Sequence, residues 1–151
     1  MPNKLIIPLL RFFGASIGLG SDIDNGLILH RLSKKSDLKK LIIGEKVYIG
    51  HNMLLDLSTD ITIGNDCGFG ANCQIWTHVG DYSFDYSDYK DTTNPVIIND
   101  GVVIYSGSIV NQGVIIKKYA RVGASSVVLK NIPEKEFWAG IPAKLINIIK
   151  W

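Results

Sequence analysis

The sequence predicts an all-β chain wound as a solenoid of short parallel strands. Three observations predict it. Apolar anchors recur every six residues, and Ile98, Ile104, Val110, Ile116, Val122 and Val128 do so without a break. Four residues after successive anchors comes a second series, small or β-branched throughout: Val102, Ser108, Val114, Ala120 and Ser126. Upstream, glycine follows the anchor directly in Ile43-Gly44, Ile49-Gly50, Ile63-Gly64 and Phe69-Gly70. A fixed short period marks stacked repeats. A helix cannot use it, because six residues at 3.6 per turn sweep about 600° and carry the anchors round the axis. A sheet of hairpins would need turn signals at longer intervals. A coil with sides of six residues fits: the anchor points inward, and glycine after it permits tight turning and left-handed dihedrals.

The elements follow in chain order within a single domain, 1–151. Residues 1–14, with "KLIIPLLRFFGA", read as an N-terminal cap, a short helix with Pro8 in its first turn or at a kink. The stretch is too short to span a bilayer, is interrupted by Arg11 and lacks a signal-peptide cleavage site, which leaves a membrane-surface anchor as the minor alternative. The coil then runs over 15–131. Ile17-Gly18, Ile23 and Leu29 begin it weakly, and the basic "HRLSKKSDLKK" at 30–40 reads as a surface excursion. After Ile43 and Ile49 the spacing slips by two, so that Leu57 becomes the next anchor before Ile63, Phe69 and Ile75. Cys67 and Cys73 fall in equivalent small-residue slots, which favours free buried thiols over a disulfide or a metal site. Residues 79–95 form a protruding loop inside an otherwise compact repeat, and such loops usually carry function. Residues 132–151 close the end: Pro133 and Glu-Lys-Glu break the pattern, and Leu145, Ile146, Ile148 and Ile149 suggest a capping helix or strand.

Lys and Arg number 16 against 14 Asp and Glu, too small a surplus to argue for nucleic acid as a partner. No Walker A sequence and no GxGxxG opening a helix is present, which argues against nucleotide hydrolysis and dinucleotide binding. No segment is predicted to cross a membrane, and two thiols with no secretory signal point to a reducing cytoplasm.

Three stretches give the repeat a family resemblance: "ITIGNDCGFGANCQIWTH", "GVIIKKYARVGASSVVLKNIP" and "WAGIPAKLI". Over residues 15 to 151 the chain resembles the hexapeptide-repeat acyltransferases, and within them the sugar and antibiotic O-acetyltransferases of the maltose, galactoside and surface-polysaccharide kind. The resemblance implies a left-handed parallel β-helix, a cytoplasmic homotrimer with active sites between subunits, and acetyl-CoA as co-substrate with no metal required. It implies acetyl transfer to a sugar or glycoconjugate precursor in a ternary complex. The alternatives are N-acetylation of a nucleotide-linked amino sugar and a non-catalytic β-helix interaction module. Serine acetylation is the less favoured acceptor chemistry, because the helical N-terminal domain of those enzymes has no counterpart in this sequence. Two departures stand out. Gly80 occupies the place of a second histidine found in many relatives, and Asn99, Tyr105, Asn111 and Lys117 occupy the usual glycine slot, which puts the backbone near Tyr105 in question.

His78 ends the apolar stretch where the repeat stops. A neutral imidazole suits removal of a hydroxyl proton near pH 7, and the resemblance makes His78 the catalytic base. For the acceptor, the resemblance points to Asn52, with Asp56 as the other candidate before the loop. The loop residues Asp81, Tyr82 and Asp85, with Tyr86 and Tyr89, suit a carbohydrate, since carboxylates accept hydroxyl hydrogen bonds and aromatic faces pack on a sugar ring. The loop aspartates are also candidates to orient His78 through its other nitrogen, and the sequence does not choose which carboxylate or backbone group does so. The resemblance further implies backbone contacts to acetyl-CoA from Ser106 and Ala124, Lys130 and Lys144 near its phosphates, and Ile141 and Pro142 beside the adenine. His30 is expected at the surface and His51 in a structural or rim role. The spacing of the three histidines does not suggest a metal centre.

Overall fold

The computed structural model describes residues 5–32, 35–81 and 88–150. Helix α1 (Ile6–Phe12) comes first, with Pro8 in its first turn, where no intrahelical N–H is needed. Its Leu10 is buried on the first coil, and the Arg11 guanidinium donates to the carbonyls of Ile17 and Gly18 at the open end of the stack. Five coils follow. They comprise β1 (Ser16–Ile17), β2 (Asp22–Ile23) and β3 (Ile28–His30); β4 (Leu41–Ile43), β5 (Tyr48–Ile49) and β6 (Leu54–Asp56); β7 (Ile61–Ile63), β8 (Gly68–Phe69) and β9 (Gln74–Ile75). After an antiparallel hairpin, β10 (His78–Asp81) with β11 (Lys90–Thr93), come β12 (Val96–Ile98), β13 (Val103–Ile104) and β14 (Ile109–Val110), then β15 (Ile115–Ile116), β16 (Arg121–Val122) and β17 (Val127–Val128).

Like sides stack on like as three parallel sheets, here named A, B and C in the order each coil visits them. The anchors become columns. In sheet A, Ile17, Ile43, Ile63, Ile98 and Ile116 are register partners from one coil to the next. Sheet B aligns Ile23, Ile49, Phe69, Ile104 and Val122, and sheet C aligns Leu29, Leu55, Ile75, Val110 and Val128. Burying each such side chain contributes roughly 1.5–3 kcal/mol. The second series is buried beside them, and its polar members are satisfied: Ser108 Oγ lies 2.8 Å from the Gly123 carbonyl oxygen. Cys67 and Cys73 are free and buried in this series, and burial pushes the Cys67 thiol up to about 11.

Two sequence expectations need correction. The backbone turns through positive φ three residues after the anchor, at Gly101 and Gly107 but also at Asn52, Asp66 and Tyr119. The glycine directly after the anchor serves close approach instead: a Cβ on Gly70 would lie 2.5 Å from the backbone nitrogen of Ser106 in the next coil. Asn99, Tyr105, Asn111 and Lys117 therefore face no left-handed requirement, and Tyr105 has an ordinary φ. The anchor after Ile49 is Leu55, in register with Leu29 and Ile75, so the two extra residues fall after Leu55 rather than before Leu57.

That relocation matters. A regular side places the next anchor six residues on, yet Leu29 is followed by Ile43, Leu55 by Ile63 and Ile75 by Ile98. All three insertions leave the coil at one corner, between sheets C and A, and they stack along the axis. The first carries a 3-10 helix, Lys35–Lys40, whose Leu38 is buried; the third carries the hairpin within the predicted loop. The far end is closed by strands: β18 (Glu136–Gly140) pairs with β16 in sheet B, and β19 (Ala143–Ile148) folds back on it. Among the described residues no helix is long and apolar enough to cross a membrane.

Candidate active site

Each corner insertion begins with a functional side chain: His30, Asp56, and, two residues into the third, His78. His30 and Asp56 are register partners on adjacent coils. Asp56 is fully buried, and the short second insertion folds around its carboxylate. Ser58 donates to Oδ1 from its hydroxyl (2.8 Å), and its backbone N–H closes an Asx turn on the same oxygen (3.3 Å). Oδ2 accepts the Thr77 N–H at 2.8 Å and lies 2.7 Å from His78 Nδ1. Thr77, also fully buried, ties the second and third insertions together: its Oγ1 donates toward Asp56 and accepts from Thr59 N–H (3.1 Å).

Burial alone would raise the Asp56 pKa, but the hydrogen bonds from His78, Ser58 and Thr77 outweigh it and hold the carboxyl below the usual carboxylate range. An ionised Asp56 can only accept, so His78 Nδ1 carries its proton toward Asp56, and in the neutral form of the ring Nε2 is the nitrogen with a lone pair. That is a proton-accepting imidazole, held in one tautomer by a buried anion. Two aromatic rings complete its surroundings. His30 stacks on His78 with centroids 5.4 Å apart and planes 15° apart, and Trp76 meets both rings edge-on.

Several expectations change here. Asp56 is not an acceptor contact: it is buried, and both of its oxygens are taken up by Ser58, Thr77 and His78. The choice of orienting group that the sequence left open falls on Asp56, whose Oδ2 meets His78 Nδ1. His30 is not a plain surface residue, since its ring packs against His78 and Trp76. The ligand atoms of His30, Asp56 and His78 lie within 4.8 Å of one another, so two of the three histidines converge despite their irregular spacing. Oδ2 of Asp56 accepts from Thr77 and faces His78 Nδ1. His51 stands at another corner, its Nε2 3.4 Å from Asp24.

Asn52 turns the chain at φ 57 at the corner between sheets B and C, not at the corner of His78. Ser106 and Ala124 occupy that same B–C corner on successive coils, both exposed, and Ser125 N–H donates to the Ser106 carbonyl. Asp81 ends β10, exposed, opposite Lys90. Tyr82, Asp85 and Tyr86 lie outside the described residues. Tyr89, just before β11, and Asp91, near its start, meet the Arg31 side chain, and the Arg31 hydrogen bond holds the Asp91 carboxyl below its usual range. A cleft of about 400 Å³ opens among the three insertions, walled by Arg31, Lys40, Ser58, Asp91 and Thr93. At the closed end of the coil, Lys130, Trp138, Pro142, Ala143 and Lys144 line a second cavity of about 250 Å³, and Ile141 stands exposed next to it. The sequence missed the insertions' common corner, because column registry is invisible until the coils are stacked.

Fold and corner together define a parallel β-helix with a histidine–carboxylate pair at one edge. A family profile described as the hexapeptide repeat of succinyl-transferase matches residues 60–83. A galactoside O-acetyltransferase of Lactococcus lactis is 35% identical over 69% of this chain and 51% of its own length. A serine acetyltransferase of Buchnera aphidicola is 30% identical over 80% of this chain and 43% of its own. The chain thus spans about half the length of these relatives. Among solved structures, a hexapeptide-repeat acetyltransferase of Vibrio cholerae complexed with acetyl coenzyme A superposes with a TM-score of 0.85, at 25% identity, over 95% of this chain and 76% of that one. The fold is the left-handed form of the β-helix. The chain belongs to the hexapeptide-repeat acetyltransferase family.

Proposed function

We propose that this protein is a cytoplasmic acetyl-CoA-dependent O-acetyltransferase whose acceptor is a sugar or glycoconjugate precursor. The observation that carries the reading is the 2.7 Å contact between buried Asp56 and His78. It leaves Nε2 of His78 free to take the acceptor hydroxyl's proton as that oxygen attacks the acetyl carbonyl carbon. The C–S bond then breaks, and the departing thiolate takes up the proton from the imidazolium that Asp56 stabilises. No covalent enzyme intermediate is needed. The cavity with Lys130 and Lys144 offers ammonium groups to phosphates, and Trp138 and Pro142 offer an apolar wall to a ring. The Lactococcus relative is named for galactoside O-acetylation and the Vibrio enzyme holds acetyl coenzyme A, which supports both halves of the reading.

Ser106 and Ala124 lie at the B–C corner, and His78 lies at the C–A corner. A neighbouring copy that brings its C–A corner to this B–C corner completes the site, which favours the homotrimer. Titration calorimetry should detect acetyl-CoA binding, weakened by Lys144→Ala, and light scattering should give a trimer mass. Free-thiol release, followed with simple sugars, nucleotide-linked amino sugars and L-serine, should be greatest with a sugar hydroxyl. His78→Ala should keep the trimer mass and lose about 10²–10⁴ in turnover. Wild-type protein that binds no acetyl-CoA at millimolar concentration would defeat the reading.

A further inference from the structure

We infer that the first corner insertion positions the acetyl-transfer site, acting through His30, Arg31 and Lys40; the inference rests on the reading of His78 as the base. His78 opens a two-stranded hairpin, and an isolated hairpin is marginal in water. Something outside it has to hold it. Arg31 does so with a fork, one nitrogen paired with Asp91 near the start of β11 and another donating to the hydroxyl of Tyr89 just before it (3.0 Å). The residue before it supplies the second contact. The ring of His30 lies nearly parallel to that of His78, and Trp76, its Nε1 donating to Gln74 Oε1 at 2.8 Å, braces both rings from the side.

The third contact reaches the carboxylate. Lys40, at the end of the same insertion, donates to the carbonyls of Leu57 (3.0 Å) and Ser58 (3.2 Å), and Ser58 in turn donates to Asp56 Oδ1. Asp37 lies 3.3 Å from the Lys40 ammonium. One insertion thus touches the hairpin, the face of the base and the loop that wraps its partner carboxylate. Two cations of residues 30–40, Arg31 and Lys40, are engaged in these contacts.

The test uses the full chain. Arg31→Ala should lower kcat about 10- to 100-fold with the KM for acetyl-CoA unchanged, because a small displacement of a reacting group is expensive. Arg31→Lys should recover only part of it, since an ammonium cannot reproduce a fork. His30→Phe, which keeps a flat ring, should retain most of the turnover that His30→Ala loses. The second readout needs no acceptor. Two-bond ¹H–¹⁵N spectra of ¹⁵N-histidine-labelled protein should show His78 as a single Nδ1–H tautomer in the wild type and in His30→Phe, and as a mixture in His30→Ala and Arg31→Ala. A loss confined to acceptor KM would make Arg31 a binding residue and overturn the inference. So would an unchanged His78 spectrum in both alanine variants. If the wild type transfers no acetyl group, the functional reading fails, and the spectra still decide whether the insertion holds the ring.

Discussion

Residues 98–128 and the C–A corner are built from opposite materials. The first is a periodic stack in which each inward side chain meets its equivalents one coil above and below, as Ile104 meets Phe69 and Val122. The second is aperiodic: three insertions of different length, held together by polar contacts among Asp56, Thr77, His78, Arg31 and Lys40. Among the described residues no buried side-chain nitrogen or oxygen lacks a partner, so the polar corner is satisfied rather than strained. Stability resides in the periodic part and chemistry where the period is interrupted. The repeat tolerates an excursion because each coil pairs only with its neighbours, and the excursion needs only to return in register.

The sharpest test of that division is Asp56→Asn. The amide is nearly isosteric but can turn an N–H toward Nδ1, which forces the proton onto Nε2; turnover should fall by about 10²–10⁴ while the coil stays folded. Circular dichroism alongside thiol-release kinetics separates the two effects, and a variant of unchanged turnover would dissolve the distinction between corner and stack. Ile104→Ala is the converse. It removes a fully enclosed side chain from the middle of sheet B and should cost about 2–5 kcal/mol in denaturant unfolding. The fraction that remains folded should turn over at the wild-type rate.

The smallest effect concerns acid. The Asp56 pKa is depressed in the folded chain, so its contribution to stability is present above the ordinary carboxylate value of about 4 and is lost as pH falls through the lower folded value. Melting temperatures of the wild type and of Asp56→Asn should therefore differ at neutral pH and converge below about pH 4. A difference that does not shrink at all as pH falls below about 4 would place the stabilising contact elsewhere.

What could be read in advance follows the same division. The buried series through Ser108 and Ser126 was legible because burial in a solenoid is a function of position modulo six. The cysteines were legible for the same reason. The role of Asp56 was not. Its neighbours in space, Thr77 and His78, lie a full coil away, and spacing alone does not show on which side of Leu55 the two extra residues fall. His30 carries no local signal because it follows a weak coil and precedes a basic run, and its partner ring lies two coils on, reached only through the stacking of β3 on β6 and β6 on β9. The strand character of residues 136–148 was open between helix and strand, and pairing with β16 decided it.

The sequence by itself determined the coil, its inward columns and the point at which His78 leaves it, because each is a local pattern repeated along the chain. Only the tertiary structure decided that three unequal insertions share one corner. It also decided that Asp56 turns its carboxylate inward to the histidine and that a basic excursion braces both. Those contacts depend on which coil lies above which, and that registry is a property of the stack rather than of any stretch within it.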